Sequence, residues 1–224
     1  MVNRFTYSNE LTFFQKFRSI DWILVICILL IGFISFFSMY STDGGELLFH
    51  TKNHIVRFMI FFSMMIIISF INIKFWHSIS YLFYLVVLGL LVAASLYGIT
   101  ASGSQRWINL YFINLQPSEL MKIAIIAFFA KYYHRMQITQ VNKVVNIIIP
   151  FVILVIPIFL VITQPDLGTS ILIALSGLMV LWLAGINLKF FVYSSLLLII
   201  SAPFVISFLK PYQKLRILTF FNPD

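Results

Sequence analysis

Long apolar runs alternate with short polar breaks along this chain. Seven runs are predicted to be helices, over residues 20–40, 54–71, 78–97, 117–133, 144–162, 170–186 and 190–209. Each is close to the roughly 20 residues that a helix needs to cross the hydrocarbon layer of a bilayer. The polar remainder is a head over 1–19, a tail over 210–224 that is amphipathic and too short to cross, and the loops between runs. The pattern therefore predicts an all-α integral membrane protein in three parts: a head (1–19), a seven-span membrane domain (20–209) and a tail (210–224). The first run is too long, and lacks the small-residue exit, for a cleaved signal, so it reads as a retained span. Pro150 and Pro157 fall inside the fifth run, where proline removes backbone bonds and can kink a membrane helix.

Composition sharpens this. Of 224 residues, 61% are hydrophobic and 10% charged, and Phe alone (25) outnumbers Asp and Glu together (7). With a mean hydropathy of +1.01, this chain exceeds what a soluble domain of its length can bury. The single cysteine, Cys27, lies inside the first run and has no partner for an internal disulfide. The net charge of +8 does not indicate nucleic acid, because the basic residues are scattered between spans and form no patch. Anionic lipid, or a lipid-linked phosphate, suits such a distribution better.

Counting Lys and Arg by loop gives weak orientation. Seven spans put residues 4, 16, 18, 74, 131, 135, 143 and 189 on one face and 52, 57, 106, 122, 210, 214 and 216 on the other. Around the first span the bias favours a cytoplasmic N-terminus. The exported face then carries more charge than a topology signal requires. Arg57, Arg106, Glu119, Lys122, Asp166 and the cluster 210–216 all fall there, since two spans separate the Glu119 loop from the Asp166 loop. Charges of both signs on one surface can line a cavity for an anionic headgroup; ordinary interfacial charges in separate loops are the plainer reading.

The stretch 101–130 concentrates the chemistry. Arg106 and Trp107 sit in a polar loop, and Gln116-Pro117-Ser118-Glu119 then opens an apolar helix with Lys122 one turn in. Pro117 suits the first helical position, where its missing N–H costs nothing. Glu119 suits the positive end of the helix dipole, and Lys122 shares its face. A capped helix start with a local ion pair, expected to face the protein interior, accounts for the pattern without catalysis. A second polar opening, Gln164-Pro165-Asp166-Leu167-Gly168-Thr169, echoes the first.

Taken together, Gly103-Ser104-Gln105-Arg106-Trp107-Ile108, Gln116-Pro117-Ser118-Glu119-Leu120-x-Lys122 and Gln164-Pro165-Asp166-Leu167-Gly168-Thr169, with the tail's Pro211-Tyr212-Gln213 and Asn222-Pro223, resemble the SEDS family (shape, elongation, division and sporulation). Leu167 and the short head lean toward its RodA-like elongation branch rather than the FtsW-like division branch. The resemblance implies the first seven spans of a ten-helix SEDS bundle in the bacterial cytoplasmic membrane. It also implies polymerisation of lipid II into glycan strands, alongside a class B penicillin-binding protein transpeptidase. It maps catalytic roles to Glu119, Lys122 and Asp166, and substrate-binding roles to Arg57, Arg106, Trp107, Gln116 and Gln164. No metal ligand is assigned, and cofactors, a divalent cation included, stay open. In the family a further catalytic Asp follows the Asn-Pro of the exported loop. The sequence stops at Asp224, so this stretch by itself is expected to be inactive. The alternatives are a transporter (flippase) for a lipid-linked precursor, which the prolines of span five would suit, and a non-catalytic scaffold for the transpeptidase.

Overall fold

The computed structural model describes residues 12–101, 104–109, 114–164, 166–196 and 200. The whole tail, part of the seventh predicted span and Pro165 lie outside the described residues. Helices dominate, as the apolar pattern requires. The chain forms two compact units, one through Trp76 and one from His77.

The first unit contains α1 (Phe13–Arg18), α2 (Trp22–Thr42) and α3 (Phe49–Ser69). The head is thus not wholly irregular: Thr12 N–H donates to the Gln15 side chain at 3.0 Å and starts a short helix. Asp21 caps α2 by accepting from the N–H groups of Ile23 and Leu24, satisfying donors that a helix start leaves free. Gly44 and Gly45, with φ of 76° and 84°, turn the chain into α3 through a conformation that side chains disfavour. There Asp43 accepts from both the N–H (2.8 Å) and the hydroxyl (2.6 Å) of fully buried Thr51.

The second unit contains most of α4 (Ile73–Tyr97), a small sheet, α5 (Pro117–Tyr133), α6 (Ile138–Val141), α7 (Val144–Thr163) and α8 (Leu167–Leu183), then a helical stretch over 188–196. Its core is one stripe per helix. Ser80, Tyr84, Val87, Leu91 and Ala94 line α4; Met121, Ala124, Ile125, Phe129 and Tyr133 line α5. Pro150, Leu154, Pro157 and Val161 line α7; Thr169, Ser170, Ile173, Gly177 and Leu181 line α8. The opposite faces expose large apolar side chains such as Ile123, Val152, Phe159, Leu172 and Met179. That inverted pattern belongs to helices solvated by lipid, where close packing drives association. Gly177 makes such packing possible: a Cβ there would sit 2.4 Å from Leu154 Cδ1.

Both prolines of α7 point into this core. Each removes the N–H that would bond the carbonyl four residues earlier, orphaning Ile153 and Asn146. The Tyr84 hydroxyl donates to the Ile153 carbonyl at 2.8 Å, and the Tyr133 hydroxyl to the Asn146 carbonyl at 2.7 Å. Tyrosines from α4 and α5 thus replace both missing bonds, and α7 runs unbroken from Val144 to Thr163.

Among the described residues, four helices are long and apolar enough to cross a membrane: α2, α3, α4 and α7, with 20–25 residues each. Helices α5 and α8 have 17 residues each, and α8 is apolar throughout.

Candidate functional site

The second unit gathers its polar chemistry where α4 and α7 end and α5 and α8 begin. The stretch read from sequence as a polar loop holds a three-stranded antiparallel sheet of β1 (Ile99–Ala101), β2 (Ser104–Asn109) and β3 (Asn114–Leu115), with β2 central. Ile99 pairs with Trp107 and Ile108 with Leu115. Pairing on both sides holds β2, but Thr100 pairs with Gln105, so Arg106 is the extra residue of an irregularity in the β1–β2 ladder, a feature that re-aims a side chain. Of Arg106 and Trp107, only one reaches Asp166.

That one is Arg106, whose Nη1 lies 3.3 Å from Asp166 Oδ2. The same oxygen accepts from Gln116 Nε2 at 3.0 Å, and Gln116 also donates to Ser118 Oγ at 3.0 Å. The other carboxylate oxygen, Oδ1, accepts from Thr169 N–H at 3.2 Å, capping α8. The Asp166 side chain is 10% exposed, so its charge is held by a guanidinium, an amide and a helix start together. Arg106 Nε is buried without a hydrogen-bond partner. The two polar openings that sequence parity put on one side thus meet directly.

Glu119 and Lys122 pair as their spacing predicts, at 2.8 Å. The expectation that the pair faces the interior needs correction: the Glu119 side chain is 54% exposed and that of Lys122 24%. Ser118 and Met121 take the inward face of the first turn of α5, and a rise of 3.6 residues per turn leaves Glu119 to the side. Pro117 occupies the first helical position, as read from sequence.

Gln164 is 4% exposed and donates to the Leu91 carbonyl (2.9 Å) and Ser95 Oγ (3.3 Å). Its amide ties the end of α7 to α4 and thereby fixes the turn into Asp166. Trp107 is partly buried on β2. Arg57 belongs to the first unit, exposed on α3. The cluster 210–216 lies outside the described residues. Ser118 and Thr169 stood in the sequence motifs without an assigned role, and Ser95 escaped the sequence reading; Thr169 left a signal, as the fourth residue of an Asp-x-x-Thr helix start. Among the described residues no three His, Cys, Asp or Glu gather as metal ligands.

Comparison with known proteins returns one family. A model described as cell cycle protein, covering FtsW, RodA and SpoVE, matches residues 17–224. The peptidoglycan glycosyltransferase MrdB of Escherichia coli is 30% identical over 96% of this chain and 58% of its own length. A probable peptidoglycan glycosyltransferase FtsW of Buchnera aphidicola is 30% identical over 88% of this chain and 53% of its own. The chain thus spans just over half the length of these relatives. Among solved structures, a chain of a peptidoglycan synthase complex covers 92% of this chain (60% of its own) with a TM-score of 0.75 and 22% identity. The rod shape determining protein RodA of Thermus thermophilus covers 81% (59% of its own) with a TM-score of 0.69 and 20% identity. At those identities the structures establish the helical membrane fold.

Proposed function

This chain belongs to the FtsW/RodA/SpoVE family and is a bacterial membrane protein, and from that premise we propose that it carries the substrate-binding end of a peptidoglycan glycosyltransferase that polymerises lipid II for cell elongation. The observation that supports this most is the meeting of three separated motifs: Arg106, Gln116 and Asp166 touch, and Glu119 and Lys122 stand on the same opening turn of α5.

In this reading the reaction joins the 4-hydroxyl of one sugar to C1 of another as lipid pyrophosphate departs. Lys122 and Arg106 offset the charge on the leaving phosphates. Glu119, the more exposed carboxylate, takes up a proton from the attacking hydroxyl as Lys122 turns from it to the leaving phosphate. Asp166, engaged at both oxygens, holds Arg106 in place. Gln116 and Gln164 orient it, while Trp107 and Arg57 are assigned to substrate contact from the family pattern. The site would face the exported side of the cytoplasmic membrane, with the N-terminus cytoplasmic and a class B penicillin-binding protein as partner.

The transporter reading loses its main support. A broken, water-lined helix is what that class uses, whereas α7 is continuous and its prolines are buried and compensated.

The test is glycan chain length from labelled lipid II in liposomes, using the protein in the length its cell makes. Glu119→Gln and Lys122→Gln are expected to lower turnover by at least about 10²-fold, and Asp166→Asn to do so while weakening substrate capture. Lipid II that crosses the bilayer without forming polymer would replace this reading with the transporter. Full polymerisation by the Glu119 and Lys122 variants would leave the site without a catalytic role.

A further inference from the structure

The start of the first unit is more than a polar head. A helix turns about 100° per residue, so α1 presents Phe14 and Phe17 on one face, with Arg18 beside them and Gln15 and Ser19 turned away. Phe14 is 85% exposed and Phe17 45%. The Phe17 ring meets Trp22 edge to face at 4.8 Å, and Trp22, the first residue of α2, is itself exposed. An exposed aromatic surface thus runs from α1 onto a helix long and apolar enough to cross the membrane.

Two restraints keep α1 at that membrane surface. The residues between α1 and α2, 19–21, span at most about 11 Å. Lys16 Nζ also donates to the Phe70 carbonyl at 3.0 Å, on the residue that ends α3. A cation suits the negative end of a helix, and this one ties α1 to the end of the hairpin where α2 begins and α3 stops. The turn from α3 into α4 continues the pattern, with Ile73 and Phe75 exposed on either side of exposed Lys74. Aromatic rings beside Lys and Arg are the composition of the membrane–water boundary, where the rings sit at headgroup level and basic side chains lay their stems on apolar surface with the charge in water.

We propose that α1 is an interfacial helix, seated in the headgroup–acyl boundary of the bilayer with Phe14, Phe17 and Trp22 inserted. The bond from Lys16 to Phe70 transmits that seat to α3 and so pins this end of the α2–α3 hairpin at a set depth. The surface α1 binds is lipid, because its aromatic face continues through the Phe17–Trp22 contact into the exposed apolar side chains of α2, such as Ile23, Ile26 and Leu30. A lipid-facing helix and a short amphipathic turn joined in this way meet the same layer. The seat lies wholly in the first unit and does not depend on the glycosyltransferase reading.

Spin labels on the protein in the length its cell makes, purified into liposomes in a Cys27→Ser background, test this. Labels go one at a time on Phe14→Cys, Gln15→Cys and Ser19→Cys; the last leaves the Thr12–Gln15 cap intact. Each is read by relaxation from oxygen, which concentrates among acyl chains, and from a nickel chelate, which stays in water. Oxygen is expected to dominate at position 14 and the chelate at positions 15 and 19. Phe17→Asp should shift position 14 toward the chelate, because a carboxylate on that face lifts α1 into water, while Phe17→Leu should leave position 14 with oxygen. Equal ratios at all three positions would overturn the proposal, as would a position 14 that the chelate reaches as freely as position 19. So would a position 14 reached by neither probe, which would mean burial against a second copy, the only protein in these liposomes.

Discussion

Tyr84 and Tyr133 show how single residues let two prolines sit in a packed membrane helix. Each hydroxyl bonds the carbonyl that a proline four residues later leaves free, and a buried carbonyl without a partner costs about 1–3 kcal/mol. Measured membrane hydrogen bonds average less, about 0.6 kcal/mol. Tyr84→Phe is therefore expected to lower stability by about 1 kcal/mol, read from unfolding of the purified protein in detergent. The diagnostic is a double-mutant cycle. Pro157→Ala restores an N–H to the Ile153 carbonyl, so Tyr84→Phe should cost little in that background. Equal cost in both backgrounds would mean that the ring, and not the hydroxyl, supports α7. The prolines are plain in the sequence, and so are the carbonyls they orphan. The donors are not, because Tyr84 and Tyr133 are distant in the chain and look like any aromatic on an apolar face. Gln164 was obscure for the same reason: a motif glutamine reads as a ligand contact until its amide is seen on the Leu91 carbonyl.

At the scale of elements, helix starts were more legible than anything between them. The opening at Pro117 follows from proline's place at the first turn, and the cap of α8 by Asp166 from a side chain that accepts N–H bonds. The sheet was not legible. Its strands are two to six residues long, too short for alternation to stand out from a polar loop, and they form because β2 finds partners on both edges. The α2–α3 hairpin offers a test at this scale. Thr51's hydroxyl and N–H hold the Asp43 carboxyl below its ordinary value of 3.8. A carboxylate with a depressed folded pKa adds stability above its unfolded value and loses it as pH falls through the folded one. Wild type is expected to lose thermal stability between about pH 5 and pH 3 more steeply than Asp43→Asn, whose amide does not titrate there. Parallel acid limbs for the two proteins would show that the Asp43–Thr51 contact contributes nothing to folding.

For the whole molecule, the pairing of Arg106 with Asp166 turns a near tie in charge counting into an expected orientation. The loops over 98–116 and 163–169 share one end of the second unit because their side chains touch. The basic residues at that end, Arg106 and Lys122, belong to the site. The other end holds Lys131, Arg135, Lys143 and Lys189, and by the excess of Lys and Arg it is expected to be the cytoplasmic one. Counting all loops alike hides this, since site cations weigh the same as topology cations until contacts separate them. Labelling tests it in a Cys27→Ser background, with Asn114→Cys at the site end and Gln137→Cys at the basic end, both exposed positions. An impermeant maleimide applied to intact spheroplasts is expected to modify position 114 at once and position 137 only after permeabilisation. The reverse pattern would turn the molecule over. It would put Glu119 and Lys122 in the cytoplasm, where a polymerase of exported lipid II has no substrate.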